Sequence, residues 1–225
     1  MRFRDEMATS LPPAMRFPEE IALLCDWIEE HGHMVTDSDG SRAGFMHEAH
    51  ASVPEDIDAD VPGGTNIILM TEGSAYMAQW LGADTPEDRD RISVFARTGG
   101  EGSMAAFWLA PDGTQKIVHL GSGSGSTMVC ILAETAVDFL RLIAIGYGEL
   151  CWGGDFDAPP NASGEEDEPR TLPNTALQTW VRKTFKVTIP KTASAIVKHP
   201  VSIDSARSDD AFWNWVKKVQ MAQWR

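Results

Sequence analysis

Three apolar runs joined by loops too short to hold a helix constrain this chain more than any other feature. Ile92–Arg97 (ISVFAR), Met104–Leu109 (MAAFWL) and Ile117–Leu120 (IVHL) are rich in strand formers. Thr98-Gly99-Gly100-Glu101-Gly102 joins the first pair, and a loop holding Pro111-Asp112-Gly113-Thr114 joins the second. Asp-Gly after Pro supplies the backbone angles of a tight turn. A parallel neighbour would need a crossover of a dozen residues or so, so these runs must pair antiparallel. The centre of the fold is a meander.

The flanking segments extend that core. Asn66–Thr71 (NIILMT) reads as a strand, Glu72-Gly73-Ser74 as a turn and Ala75–Leu81 as a second strand. Residues 35–64 are polar and rich in Asp, Gly and Pro, and read as a loop around a weak strand or turn. Met128–Leu132 (MVCIL) follows the Gly121–Ser126 run, GSGSGS. Upstream, Pro18-Glu19-Glu20 suits a helix first turn; Ile21, Leu24, Cys25 and Ile28 keep helical spacing, and His31-Gly32 closes it. A longer helix is expected from Glu134 to about Tyr147, with Asp138 and Arg141 within ion-pair reach. Asp155–Arg170 (DFDAPPNASGEEDEPR) has little to bury and reads as an acidic linker or loop. Thr175–Phe185, Pro190–Lys198 and Asp209–Gln223 are then expected as three short helices. The order predicts an α+β fold: an antiparallel meander of five to six strands flanked by helices, with a helical C-terminal extension. The expected division is 1–154 for the main domain, 155–170 for the linker and 171–225 for an extension packed on that domain.

Charge narrows the partners. The 225-residue chain has a formal net charge of −14. Residues 1–177 carry −20 and residues 178–225 carry +6. An acidic body repels phosphate, which argues against direct nucleic-acid binding and against an anionic membrane surface, and favours a basic partner. The first twenty residues hold no apolar run of signal-peptide length, and no stretch is long and apolar enough to span a bilayer. Cys25, Cys130 and Cys151 are odd in number and widely spaced, as reduced thiols of a cytoplasmic protein would be.

No motif with a catalytic mechanism survives inspection. Gly121–Ser126 is not a G-x-S-x-G elbow, and no Gly-Lys-Ser/Thr follows it. Gly100-Glu101-Gly102 lies between two strands and opens no helix, so it cannot present helix amides to a phosphate. His47 and His50 are three apart rather than four, in a segment with no helical pattern, and read as surface histidines. No catalytic, cofactor-binding or metal-ligating residue is therefore assigned; a hydrolase built on scattered carboxylates or His119 is the rival that a pocket would have to support. Two features remain. Glu165, Glu166, Asp167 and Glu168, with Glu149, Asp155 and Asp157, form a candidate acidic surface. Of the eight tryptophans, Trp108 is expected in the core, and Trp152, Trp180, Trp213, Trp215 and Trp224 either glue the C-terminal helices to the sheet or anchor a partner.

Residues 17–32 and 92–152 resemble the SUKH superfamily, which includes many bacterial immunity proteins and is related to a fungal cell-wall-synthesis regulator. The resemblance lies in FPEEIALLCDWIEEHG, in ISVFARTGGEGSMAAFWLAPDGTQKIVHLGSGSG and in VCILAETAVDFLRLIAIGYGEL. The family's strand-Leu-Gly-Ser falls on Leu120-Gly121-Ser122, its Leu-Ala on Leu132-Ala133 and its last helix on Phe139–Tyr147. Gly123-Ser124-Gly125 stands where the family often carries an acidic residue, and the residues after 155 extend beyond the compact members. The resemblance implies a non-catalytic inhibitor that neutralises a cognate toxin encoded by an adjacent gene, commonly a basic nuclease or nucleic-acid-modifying effector. Charge and position nominate Glu149, Trp152, Asp155, Asp157 and Glu165 to Glu168 for that interface. A regulatory scaffold binding a housekeeping partner is the alternative, as the fungal relatives suggest.

Overall fold

The computed structural model describes residues 1–48, 61–73, 77–82, 85–162 and 170–222. The strands β1 (Met34–Thr36), β2 (Arg42–Phe45), β3 (Ile68–Gly73), β4 (Ile92–Arg97), β5 (Met104–Leu109), β6 (Gln115–Leu120) and β7 (Val129–Ala133) form one sheet in sequential order. Every adjacent pair is antiparallel, so the meander expected at the centre runs through the whole sheet. The helices among the described residues are α1 (Phe3–Thr9), α2 (Glu19–Glu30), α3 (Met77–Leu81), α4 (Pro86–Arg89), α5 (Ala136–Ile143), α6 (Thr175–Phe185) and α7 (Ala211–Ala222).

Alternation of side chains along a strand sends successive residues to opposite faces. One face presents Leu69, Phe95, Phe107, Ile117, Cys130 and Leu132 to Phe3 and Met7 of α1, Ile21, Leu24 and Ile28 of α2, Phe139 and Leu140 of α5, and Leu177 and Val181 of α6. The other presents Ile92, Val94, Ala106, Trp108, Val118, Leu120 and Val129 to Met77 and Leu81 of α3 and to Phe212, Trp215, Val216 and Val219 of α7. Coverage of both faces explains why β4 and β5 read as continuous apolar runs rather than alternating ones.

The C-terminal segment passes from one layer to the other around the β7 edge. Val129 N–H donates to the Val201 carbonyl and Ile203 N–H to the Thr127 carbonyl, both at 2.8 Å. Asp210 then accepts from Ile131 N–H of β7 and from Trp213 N–H of α7, both at 2.9 Å. One carboxylate thus caps α7 and occupies the free edge of β7, which would otherwise offer its amides to another chain. Trp108, Trp213 and Trp215 are buried in this layer, Trp180 is partly buried against the other, and Trp224 lies outside the described residues.

Several local expectations are corrected. Residues 77–81 form α3 rather than a strand: Met, Ala, Gln and Leu are good helix formers, and Met77 and Leu81, four apart, are both buried. The supposed loop at 35–64 contains β1 and β2, of three and four residues. Gly44 hides β2 from propensity, and packing requires it: a Cβ there would lie 2.8 Å from the Phe3 ring. α5 is shorter than expected, from its Thr135 cap to Ile143, although the Asp138–Arg141 ion pair forms at 2.7 Å. The longest helices are α2 and α7, with 12 residues each. At 190–198 there is only a 3₁₀ turn, Ala193–Ala195. Ala193 N–H is taken by the Tyr147 hydroxyl and Ser194 N–H by the Phe156 carbonyl, so these amides are not available to an α-helix. α1 and α4 were not expected, being too short for a periodic signal. No helix among the described residues is long and apolar enough to cross a membrane.

Candidate functional site

The β4–β5 loop, the β6–β7 loop and the segment 148–157 converge at one end of the sheet. Backbone bonds set the frame: Leu150 N–H donates to the Thr98 carbonyl and Asn66 N–H to the Gly148 carbonyl, both at 2.8 Å. Glu149 is thereby held over the Gly99-Gly100 turn. Its Oε1 accepts from Gly100 N–H and Asn66 Nδ2, both at 2.7 Å; its Oε2 accepts from Trp152 Nε1 at 3.0 Å and Cys151 Sγ at 3.2 Å. Burial opposes ionisation of Glu149, but the bonds from Gly100, Cys151, Asn66 and Trp152 outweigh it and hold the carboxyl below its ordinary range.

Glu101 does the same in the neighbouring loop. It accepts from Ser103 N–H at 2.6 Å, from the Ser103 hydroxyl and from Ser126 N–H at 3.3 Å. Ser126 in turn donates its hydroxyl to the Cys151 carbonyl at 2.7 Å. The glycine at 125 has a specific cause, since a Cβ there would sit 2.8 Å from Glu101 Cγ. The GSGSGS run is therefore a loop folded tightly over a half-buried carboxylate.

On this support Trp152 is 45% exposed, its indole nitrogen fixed by Glu149. It borders an open groove of about 590 Å³, shared with Gly125, Thr127, Asp155, Pro200 and Ser202. Asp155, in the 3₁₀ turn Gly153–Asp155, and Asp157 are exposed beside it. Glu149, Trp152, Asp155 and Asp157 are thus brought to one end of the molecule. They differ in role: Glu149 is a structural acceptor with its oxygens committed, whereas the two aspartates face solvent. Glu165, Glu166, Asp167 and Glu168 lie outside the described residues. Sequence reasoning missed Asn66, Glu101, Ser103 and Ser126, which build the support; Glu101 set between glycines was the one local signal.

Cys151 belongs to this end through its bond to Glu149, whereas Cys25 and Cys130 lie in the core. His119 is fully buried, and Nδ1 donates to the Met128 carbonyl at 2.9 Å while Nε2 has no partner. Burial drives its pKa from 6.5 down to about 4, so the ring is neutral at pH 7. His47 is buried rather than at the surface, its ring edge-on to Phe45, and His50 lies outside the described residues. The three cysteines are buried and unpaired. Burial raises all three thiols, Cys25 to about 12, which keeps them protonated and inert. Among the described residues, no group of three or more His, Cys, Asp or Glu side chains is placed to hold a metal ion. The chemistry the Trp152 end offers is recognition: a rigid aromatic face with carboxylates at its rim. No family model, no curated protein and no solved structure matches the chain.

Proposed function

We propose that this chain is an immunity protein of the SUKH type, which neutralises a basic toxin encoded by an adjacent gene by occupying it rather than by chemistry on it. The observation that carries the reading is Trp152: a large aromatic side chain, 45% exposed and fixed at its nitrogen by a carboxylate that is itself held by three other donors. Exposed tryptophans with a pre-set orientation are favoured interface anchors, because little side-chain freedom is lost when a partner closes on them. Asp155 and Asp157 at the rim, and the net charge of −14, would steer a cation-rich partner toward this end. A toxin that grips nucleic-acid phosphates must carry such a cationic face. Blocking it needs an interface of the usual size, about 1,600 Å² in total.

The direct test is genetic. Expression of the adjacent gene's product alone should arrest growth, and co-expression of this chain should restore it. A harmless neighbour, or toxicity that this chain does not relieve, would refute the proposal; a harmless neighbour that still binds would favour the scaffold reading. Association should also slow as ionic strength rises, because the steering charges are screened over about 10 Å at 0.1 M salt. A salt-independent association rate would remove electrostatic steering from the account.

A further inference from the structure

The two edges of the sheet are finished differently. Residues 201–203 and Asp210 occupy the β7 edge. At the other edge, Phe45 N–H donates to the His33 carbonyl at 2.9 Å and Asp37 N–H to the Ser41 carbonyl at 3.0 Å, with Val35 paired to Ala43 between them. Residues 33, 35 and 37 therefore turn backbone groups toward β2, and the alternation of an antiparallel ladder turns those of Met34 and Thr36 outward. Neither the N–H nor the C=O of Met34 or Thr36 has a hydrogen-bond partner among the described residues. An edge of this kind is a template for another strand.

The strand that fits this edge best is β1 itself. His31 and His33 precede β1, Asp37 and Asp39 follow it, and all but the partly buried His33 are exposed. An antiparallel second copy centred on Val35 sets Met34 opposite Thr36 twice, and each pair exchanges two hydrogen bonds. The same register sets the histidine end of each strand beside the aspartate end of the other, whereas a parallel pairing would set like beside like. Val35 meets Val35 on the axis. It is the outermost member of a small apolar cluster with Phe45 and Ile68, beside a cavity of about 190 Å³ also lined by Met70 and Arg97. That cavity is no rival site, because Arg97 Nε and Nη2, which have no hydrogen-bond partner, are buried beyond the reach of a ligand.

We propose that β1 pairs antiparallel with β1 of a second copy, joining two sheets across a two-fold axis at Val35. Identical surfaces meeting on a two-fold are the commonest way for a chain to self-associate. The inference is independent of the immunity reading and uses none of the residues at the Trp152 end. A three-residue edge limits the pairing to four backbone hydrogen bonds, so the dimer is weak, half-formed at a concentration on the order of 10⁻⁴ M. The test combines sedimentation equilibrium with residue-resolved amide exchange of the full chain at about 20 μM and about 1 mM. The mass should rise from 24.7 kDa toward twice that value across this range. The Met34 and Thr36 amides should exchange at least about threefold more slowly at the higher concentration, while the Val35 amide, already bonded to β2, should change little. Thr36→Pro deletes an outward N–H that the monomer does not use, and should hold the chain monomeric throughout. A chain that stays monomeric at the higher concentration, a dimer whose Met34 and Thr36 amides exchange as fast as the monomer's, or a dimer untouched by Thr36→Pro would overturn the proposal. The wild-type measurements decide the matter even if the variant fails to fold.

Discussion

The Trp152 end and the Arg97 cavity manage buried polarity in opposite ways. At the first, Glu149 and Glu101 collect N–H, O–H and S–H donors from four separate chain segments. At the second, Arg97 keeps two donors that nothing in the described protein meets. The difference separates support from cost. Where polar atoms are satisfied internally they hold a surface rigid, and what remains for a partner is the aromatic face and the exposed rim charges. Where they are left unmet, the polar atoms are a local cost in free energy.

That contrast can be broken most forcefully at Glu149. Glu149→Ala removes one acceptor from four donors and should lower unfolding free energy by about 3–4 kcal/mol, read by urea denaturation. A cost below about 1 kcal/mol would mean the network does not hold this end together. Next in size is an unmet buried atom of β6, His119 Nε2. Its pKa falls from 6.5 in the open chain to about 4 in the fold, so the unfolded chain takes up the proton first. Stability is full above pH of about 6.5 and declines by about 3 kcal/mol as pH falls toward 4, levelling below that. Burial raises the Asp210 carboxyl, which adds a slope of opposite sign, so wild type and variant must be compared directly. His119→Asn, which retains a donor for the Met128 carbonyl but cannot ionise, should lose the His119 share of the slope. An unchanged slope would contradict the burial argument.

Arg97→Met sharpens the comparison by its sign. Replacing a partly buried cation, two of whose nitrogens are unmet, with an apolar side chain of similar length should leave the protein unchanged or more stable by up to about 1 kcal/mol, against the loss expected at Glu149. A loss comparable to that of Glu149→Ala would show that Arg97 is structurally satisfied after all. The smallest effect belongs to Asp155→Asn with Asp157→Asn. Both are exposed, so stability should change by less than about 0.5 kcal/mol, while association with the basic partner slows by about twofold to threefold at low salt. Stopped-flow mixing measures it.

Much of this architecture was legible because its determinants are local. β4 to β7 follow from loops too short for any other connection, and α2, α6 and α7 from apolar spacing together with start signals. β1 and β2 were not legible: three and four residues give no periodicity, and Gly44 is there for the Phe3 ring rather than for the strand. The segment 77–81 was misread because a five-residue apolar stretch fits either period until α7 is known to lie above it. The site divides in the same manner. Glu149, Trp152 and Asp155 are neighbours in sequence and could be nominated together. Asn66 reaches Glu149 from 83 residues away and Ser126 reaches the Cys151 carbonyl from 25, through tertiary closure. The Arg97 cavity has no sequence signal at all, since an arginine at a strand end is ordinarily a solvated one.

The central claim is occupancy through the Trp152 end, and calorimetric titration of the adjacent gene's product with wild type and Trp152→Ala tests it most directly. Wild type should saturate its partner stoichiometrically, and the variant, folded but without one donor to Glu149, should bind about thirtyfold more weakly, as loss of about 2 kcal/mol at an aromatic anchor implies. Indistinguishable affinities for the two proteins, or no binding by wild type, would contradict it.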